Sequence, residues 1–358
     1  QVAVILVAAK LGGEICQRYF RVPSVLGELA AGVIIGPFAL GGWSILGFDP
    51  LFPLAIHGES FSGIPVSTEI YFLAQFASIV LLFVVGLETD LSLFMKYAGP
   101  ALLVAAGGVI LPFFLGMVST VIFGPAEGLF SPEALFMGAI MTATSVGITA
   151  RVLTELKSLH TAEGVTILAA AVVDDVLGIL ILTVVVGIST IGSISAGGVA
   201  WVGFKAVGFW LVLTGGGILL APYIARVIGR LQVPGGGVVL FLALALFAAA
   251  MAEMFGLALI IGAYSLGLAL SRTELAHRLM DPLTAIYHGL VPVFFVVMGM
   301  FVNISAMKGA LLLGVVITLL AIVSKVIGGG LPALAAGFNM RGAWRIGFGM
   351  LPRGEVAL

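Results

Sequence analysis

The stretch Thr166-Ile-Leu-Ala-Ala-Ala-Val-Val-Asp-Asp-Val-Leu-Gly-Ile-Leu-Ile-Leu-Thr183 sets two adjacent aspartates, Asp174 and Asp175, in the middle of an otherwise apolar run. A run of about 20 such residues crosses roughly 30 Å of hydrocarbon as a helix. Ionised carboxylates are rarely tolerated there unless they pair, take up protons, coordinate cations or line a wet cavity. The same residues therefore point to a membrane helix and to the movement of cations or protons.

The rest of the chain repeats the first half of that reading. Of its 358 residues 61% are hydrophobic and only 9% charged, with a mean hydropathy of +1.25, which leaves no room for a separate soluble domain. Apolar stretches predict spans at about 1–20, 23–41, 70–87, 98–123, 132–153, 164–190, 199–225, 237–254, 257–271, 283–302, 309–336 and 343–358, about twelve in all. A transmembrane β-barrel would show segments of about 10 residues alternating in polarity, and those are absent. The expected class is an all-α polytopic membrane protein. A net charge of −1 and no long basic run exclude nucleic acid as a partner. The single Cys16 forms no internal disulfide, and no cleavable signal precedes the second span.

Residues 42–69, 124–133 and 190–200 carry no Lys or Arg, whereas the alternate connections hold Arg18 and Arg21, Lys96, Arg151 and Lys157, Arg226 and Arg230, Arg272 and Arg278, then Arg341 and Arg345. Positive charge is retained on the cytoplasmic side, so this alternation places the N-terminus outside, with Lys308 against the trend. The pattern stops at Leu358 while still apolar, and the sequence opens without Met, so a longer native chain is expected. A thirteenth span would put the C-terminus in the cytoplasm and complete two inverted six-span halves about a connecting helix. The apolar pattern breaks at Met141-Thr-Ala-Thr-Ser-Val-Gly147 and again at Gly349-Met-Leu-Pro-Arg-Gly-Glu355. Broken helices at matching places in two repeats point to a substrate site.

Consecutive helical residues diverge by about 100°, so Asp174 and Asp175 face different partners rather than sharing a proton. Lys325, alone in an apolar span, needs a counter-ion and is the natural partner of one of them. The other is then available to exchange a proton for a cation, because one Lys does not neutralise two carboxylates. Thr142, Thr144, Ser145 and Thr149 offer hydroxyls, and an unwound turn there would add carbonyl oxygens suited to a hard monovalent cation; packing of small residues is the plain alternative for each. Arg353 and Glu355 are read as structural charges of the core. Glu14, Glu28 and Glu253 are read as satisfied packing charges, and Glu88 and Asp90 as solvated charges at the cytoplasmic end of a helix, with a cation funnel as their alternative. His57, His160, His277 and His288 lack the spacing of a transition-metal site. A facing pair of aspartates on separate helices, as an intramembrane aspartyl protease needs, does not fit adjacent positions on one helix, and a channel would need a continuous polar pore.

Ala143-Thr-Ser-Val-Gly-Ile-Thr-Ala-Arg-Val-Leu153, Ala171-Val-Val-Asp-Asp-Val-Leu-Gly178, Lys325-Val-Ile-Gly-Gly329 and Pro352-Arg-Gly-Glu-Val356, taken in order, resemble the monovalent cation/proton antiporter-2 family, and its NapA-type sodium/proton antiporters most closely. The resemblance implies a transporter, not an enzyme, with no cofactor beyond the transported sodium, lithium or potassium and protons. It implies a homodimer of thirteen-span protomers in the bilayer, of the kind found in a bacterial inner membrane. Residues 1–90 and 231–305 would form the dimerisation domain, 91–190 and 306–358 the mobile core, and 191–230 the linking helix. It assigns Asp175 as the main carrier of sodium and protons, Asp174 as the partner of Lys325, and Thr144 and Ser145 as neighbours of the site. Potassium/proton relatives of the Kef type usually carry Gln-Asp where this chain has Asp-Asp, which leaves potassium exchange as the alternative.

Overall fold

Apolar runs of this length have one way to satisfy every backbone group without water, and the chain takes it by forming helices. The computed structural model describes residues 1–44, 49–54, 56–57, 60–61, 64–191, 196–309 and 311–354. Thirteen α-helices follow in order among these residues: α1 (Val2–Ile15), α2 (Ser24–Ile35), α3 (Thr68–Glu88), α4 (Leu91–Phe123), α5 (Pro132–Thr142), α6 (Val146–Glu155), α7 (Ala162–Ile191), α8 (Ala196–Gly229), α9 (Gly236–Met254), α10 (Leu259–Leu270), α11 (Glu274–Met300), α12 (Leu311–Ala335) and α13 (Met340–Gly349). A two-residue β-ladder pairs Ile56–His57 with Ser60–Phe61.

Nine stretches among the described residues are long and apolar enough to cross a membrane, α5 and α6 counting together as one, while α10 is shorter. Two helices begin well before the apolar stretch that betrays them. The α4 helix starts at Leu91 rather than near 98, because the Asp90 carboxylate accepts from the backbone N–H groups of Ser92 and Leu93. The α11 helix starts at Glu274 rather than near 283, capped by the Thr273 hydroxyl, which accepts from the N–H of Ala276. In each case the cap pairs N–H groups that would otherwise be left without an intrahelical partner, and the first turns are polar enough to lie outside the hydrocarbon.

The helices pack in two groups. In one, α4 lies against α5, α7 and α12, with α13 against α12 and α7; in the other, α3 lies against α10 and α11, with α1, α2, α8 and α9 completing it. Contacts between the groups run through α7 with α8, and through α6 with α2 and α3. Glycine makes the tightest of the packings possible. A Cβ on Gly107 of α4 would sit 2.2 Å from the carbonyl oxygen of Gly328 on α12, so these two backbones approach as only glycine allows. The outward faces are apolar, with Val212, Leu219, Leu312 and Leu331 among the exposed side chains, as expected for surfaces that meet lipid rather than water.

Candidate ion site

The α5 helix stops at Thr142 and α6 starts at Val146, leaving Ala143–Ser145 extended in the middle of what would otherwise be one span. Such a break strands backbone groups in an apolar setting, and each must find a partner. Ser145 caps α6, its hydroxyl accepting from the N–H of Ile148 at 3.0 Å. Its own N–H donates to the carbonyl of Pro352 at 2.8 Å. Arg353 donates to the carbonyls of Ile140 at 3.0 Å and Met141 at 2.6 Å, which places a cation at the negative end of α5. The interrupted segment after α13 thus lies across the interrupted segment after α5, and each supplies the other's missing partners.

Asp174 and Asp175 lie on α7 beside this crossing, 2% and 5% exposed. Lys325 of α12 is wholly buried, and its Nζ donates to Oδ2 of Asp174 at 3.0 Å. Thr144 lies at the same point, bonding to Asp174 through its side chain and reaching the carbonyl of Met350 at 3.4 Å. Gly108, one residue past the close Gly107 contact, leaves room for the lysine stem: a Cβ there would lie 3.8 Å from Lys325 Nζ. The two small residues therefore do separate jobs, one letting α4 and α12 approach and the other letting the ammonium reach the carboxylate.

A cavity of about 170 Å³ leads to both aspartates, lined by Phe136, Ala139, Ile140, Thr142, Ala143, Gly178, Ile179, Leu182 and, from the other helical group, Ala258. A second cavity, of about 520 Å³, lies past the crossing between α6, α7 and α13, and Thr149 is on its wall.

Of the four hydroxyls singled out in the sequence, Thr144 and Ser145 meet at the crossing and Thr142 lines the cavity with its hydroxyl turned back to the carbonyl of Ala139 at 2.7 Å. Thr149 stands apart, on the wall of the second cavity. Glu355 lies outside the described residues. Glu14 and Glu253 are exposed, and Glu14 pairs loosely with Arg18. Asp90 serves as the cap of α4 rather than only as a solvated end charge. No group of three or more His, Cys, Asp or Glu side chains that could hold a metal ion occurs among the described residues.

One set of residues does not stand out in the sequence. Arg151, whose position suggests a charge of a cytoplasmic connection, lies within α6 and is 6% exposed, paired with Glu28 of α2 and with Glu155. Its signal was present as two i, i+4 polar pairs, Arg151 with Glu155 and Ser24 with Glu28, each placing both members on one face of a helix.

What the arrangement offers chemically is a buried, ion-paired carboxylate next to a second carboxylate, at a crossing rich in carbonyl and hydroxyl oxygen, with a cavity that reaches both. Comparison with known proteins agrees in kind. The model of the family described as sodium/hydrogen exchanger, transmembrane, matches residues 3–358. The chain is 35% identical to a probable Na(+)/H(+) antiporter, GerT, of Bacillus cereus, over 100% of this chain and 88% of that one. It is 34% identical to a Na(+)/H(+) antiporter of Enterococcus hirae, over 99% and 86%. The solved structure of the sodium proton antiporter MjNhaP1 from Methanocaldococcus jannaschii superposes with a TM-score of 0.66 at 18% identity, covering 98% of this chain and 83% of that one, and so shares the fold. The chain is therefore a multi-pass membrane protein, a transporter rather than an enzyme, and belongs to the sodium/hydrogen exchanger family.

Proposed function

We propose that this chain exchanges sodium for protons, with Asp175 as the principal carrier and Asp174 held by Lys325 as a second, coupled element. The observation that carries the proposal is the buried contact of 3.0 Å between Lys325 Nζ and Asp174 Oδ2, with Asp175 next in the helix and a cavity reaching both. Asp174 has Lys325 as its ion-pair partner and the Arg353 guanidinium within electrostatic reach, and a proton or a sodium ion held at Asp175 is the exchangeable positive charge. Oxygen is the right donor for sodium, and the carboxylates, the Thr144 and Ser145 hydroxyls and the carbonyls of the unwound turn are all oxygen donors.

In this reading, sodium entering from the cavity displaces the proton from Asp175 and draws Asp174 away from Lys325. Lys325 then gives up a proton in turn, so that two protons leave for each sodium bound and each cycle moves net charge. Desolvation and the opposite charge of Lys325 act in opposite senses on proton affinity, which lets the site load and unload near working pH. The two helical groups are the proposed mobile core and dimer-forming scaffold, and displacement of one along the other would carry the site from one face to the other in an elevator-type cycle. The working unit is a homodimer in a bacterial inner membrane, with thirteen spans in two inverted repeats and the N-terminus outside.

The test is exchange in proteoliposomes of purified protein, with sodium, lithium and potassium supplied in turn under a clamped membrane potential. Sodium-driven proton flux whose reversal point shifts with voltage as two protons per cation supports the reading. Flux with potassium alone assigns the chain to potassium exchange, and flux insensitive to voltage removes the proposed stoichiometry.

A further inference from the structure

Away from the aspartates, a second buried cluster joins the two helical groups. Arg151 of α6 reaches Glu155 Oε1 from Nε at 2.9 Å, Glu28 Oε1 from one terminal nitrogen at 3.6 Å, and the Tyr287 hydroxyl of α11 from the other at 3.0 Å. Its guanidinium lies 5.3 Å from the centre of the Tyr287 ring. Glu155 in turn accepts from the backbone N–H of Ser24 at 2.8 Å and from the Ser24 hydroxyl. Glu28, Arg151 and Tyr287 are all less than 10% exposed. Lys10 of α1 closes the periphery by donating to the carbonyl of His288 at 3.2 Å.

Helices α2 and α11 belong to one group, whereas α6 follows α5 directly and its first turn is tied to the segment after α13, in the group that carries Asp174, Asp175 and Lys325. The cluster also lies at the far end of α6 from the aspartate cavity. That cavity is walled by α5 and by α7 beyond residue 174, whereas Arg151 and Glu155 are in the last turns of α6. The aspartates are thus lined by a cavity on one side, while on the other the helical groups are tied by charges beside the larger cavity that runs along α6 to Pro352 without either aspartate on its wall.

We infer that Arg151, with Glu28, Glu155, Ser24 and Tyr287, is a latch that positions the ion-carrying helices so that Asp174 and Asp175 open to one face only. Hydrogen bonds and ion pairs at 2.9 to 3.0 Å do not survive a relative shift of a few ångströms. Any movement of one helical group along the other that exposed the aspartates to the opposite face would therefore have to break this cluster. Arginine suits the role, because its planar fork serves Glu155, Glu28 and Tyr287 at once while the ring covers its face, which a lysine ammonium does not reproduce. Arg151 acts here through position, with no contact to the transported ion. The inference rests on the exchange reading for its meaning, yet its test does not depend on transport.

Removal of Arg151 strands the buried Glu28 carboxylate and the partly buried one of Glu155 and can unfold the protein, so the informative variants are Tyr287→Phe and Glu28→Gln, which keep shape. In protein carrying Cys16→Ser and a reporter Ala143→Cys on the cavity wall, the rate of modification by an impermeant methanethiosulfonate is measured from each face of sealed proteoliposomes, without sodium or a pH gradient. The unaltered latch should give fast labelling from the cavity face. Loss of the hydrogen bond from Arg151 in Tyr287→Phe, or of the buried opposite charge in Glu28→Gln, should shift the ratio of the two rates by about tenfold toward the opposite face, and Arg151→Lys should shift it in the same direction. Ratios within twofold of the parent in both Tyr287→Phe and Glu28→Gln, or an equal loss of labelling from both faces, would make the cluster a static packing contact and overturn the inference. Failure of sodium exchange with the ratio still shifted would sink the exchange reading and leave the latch.

Discussion

Replacing Lys325 by Gln removes the positive charge that faces Asp174 and keeps most of the stem that fills the space beside Gly108. At the observed 3.0 Å, two unit charges attract by about 5.5 kcal/mol for an effective dielectric constant near 20. The measured cost of removing one partner from a buried pair is about 3 to 5 kcal/mol, since the remaining charge is left buried without compensation. Lys325→Gln and Asp174→Asn should therefore each destabilise the fold by about that much, with Thr144 and Arg353 the groups still facing Asp174 in the first variant. The double variant should cost far less than the sum, because two amides of similar shape can bond to one another. Reversible denaturant unfolding of the four proteins in mixed micelles gives the coupling free energy, expected at about 2 kcal/mol or more. Additivity within about 0.5 kcal/mol would refute the argument, because it would mean that the two groups do not stabilise each other despite their contact.

Asp90→Ala should cost about 1 kcal/mol at neutral pH through loss of the α4 cap. The N–H groups of Leu93 and Ser92 hold the Asp90 carboxyl below the ordinary carboxylate range, so its contribution is complete above that range and fades as pH falls through the lowered value; unfolding curves of both proteins should converge in acid. Gly107→Ala should destabilise by about 1 to 3 kcal/mol by forcing α4 and α12 apart, whereas Gly99→Ala, where a Cβ meets nothing within 4 Å, should be neutral or mildly stabilising. For orientation, Glu127→Cys and Lys157→Cys in a Cys16→Ser background should react with an impermeant thiol reagent from opposite faces, and reaction of both from one face would overturn the span order between them.

The existence of the long helices was legible because hydrocarbon leaves the backbone few alternatives, so each apolar run of sufficient length reads as a span. Their ends were less legible. The polar first turns of α4 and α11 carry no hydropathy signal, and only the caps Asp90 and Thr273 mark where they begin. Asp174, Asp175 and Lys325 stood out because charge in an apolar run is expensive. Their relative placement on α7 and α12, 151 residues apart in sequence, comes from the packing of both helices against α4. Arg151 was obscured for the opposite reason: it lies four residues before the end of a short helix, close enough to Lys157 to pass for a retained cytoplasmic charge, and only the fold brings Ser24, Glu28 and Tyr287 to it. The link between Arg353 and the end of α5 is likewise tertiary, since nothing local pairs it with Ile140 and Met141.

The central claim, that Asp175 carries the exchanged ions, is tested most directly by comparing the parent protein with Asp175→Asn in proteoliposomes loaded with a pH-sensitive dye and driven by an imposed sodium gradient. The substitution keeps the size of the side chain and removes its charge, so the variant should fold, unfold cooperatively like the parent and move no protons in response to sodium. Sodium-driven proton flux at the parental rate in Asp175→Asn would contradict the account and send the search for the carrier elsewhere in the cavity.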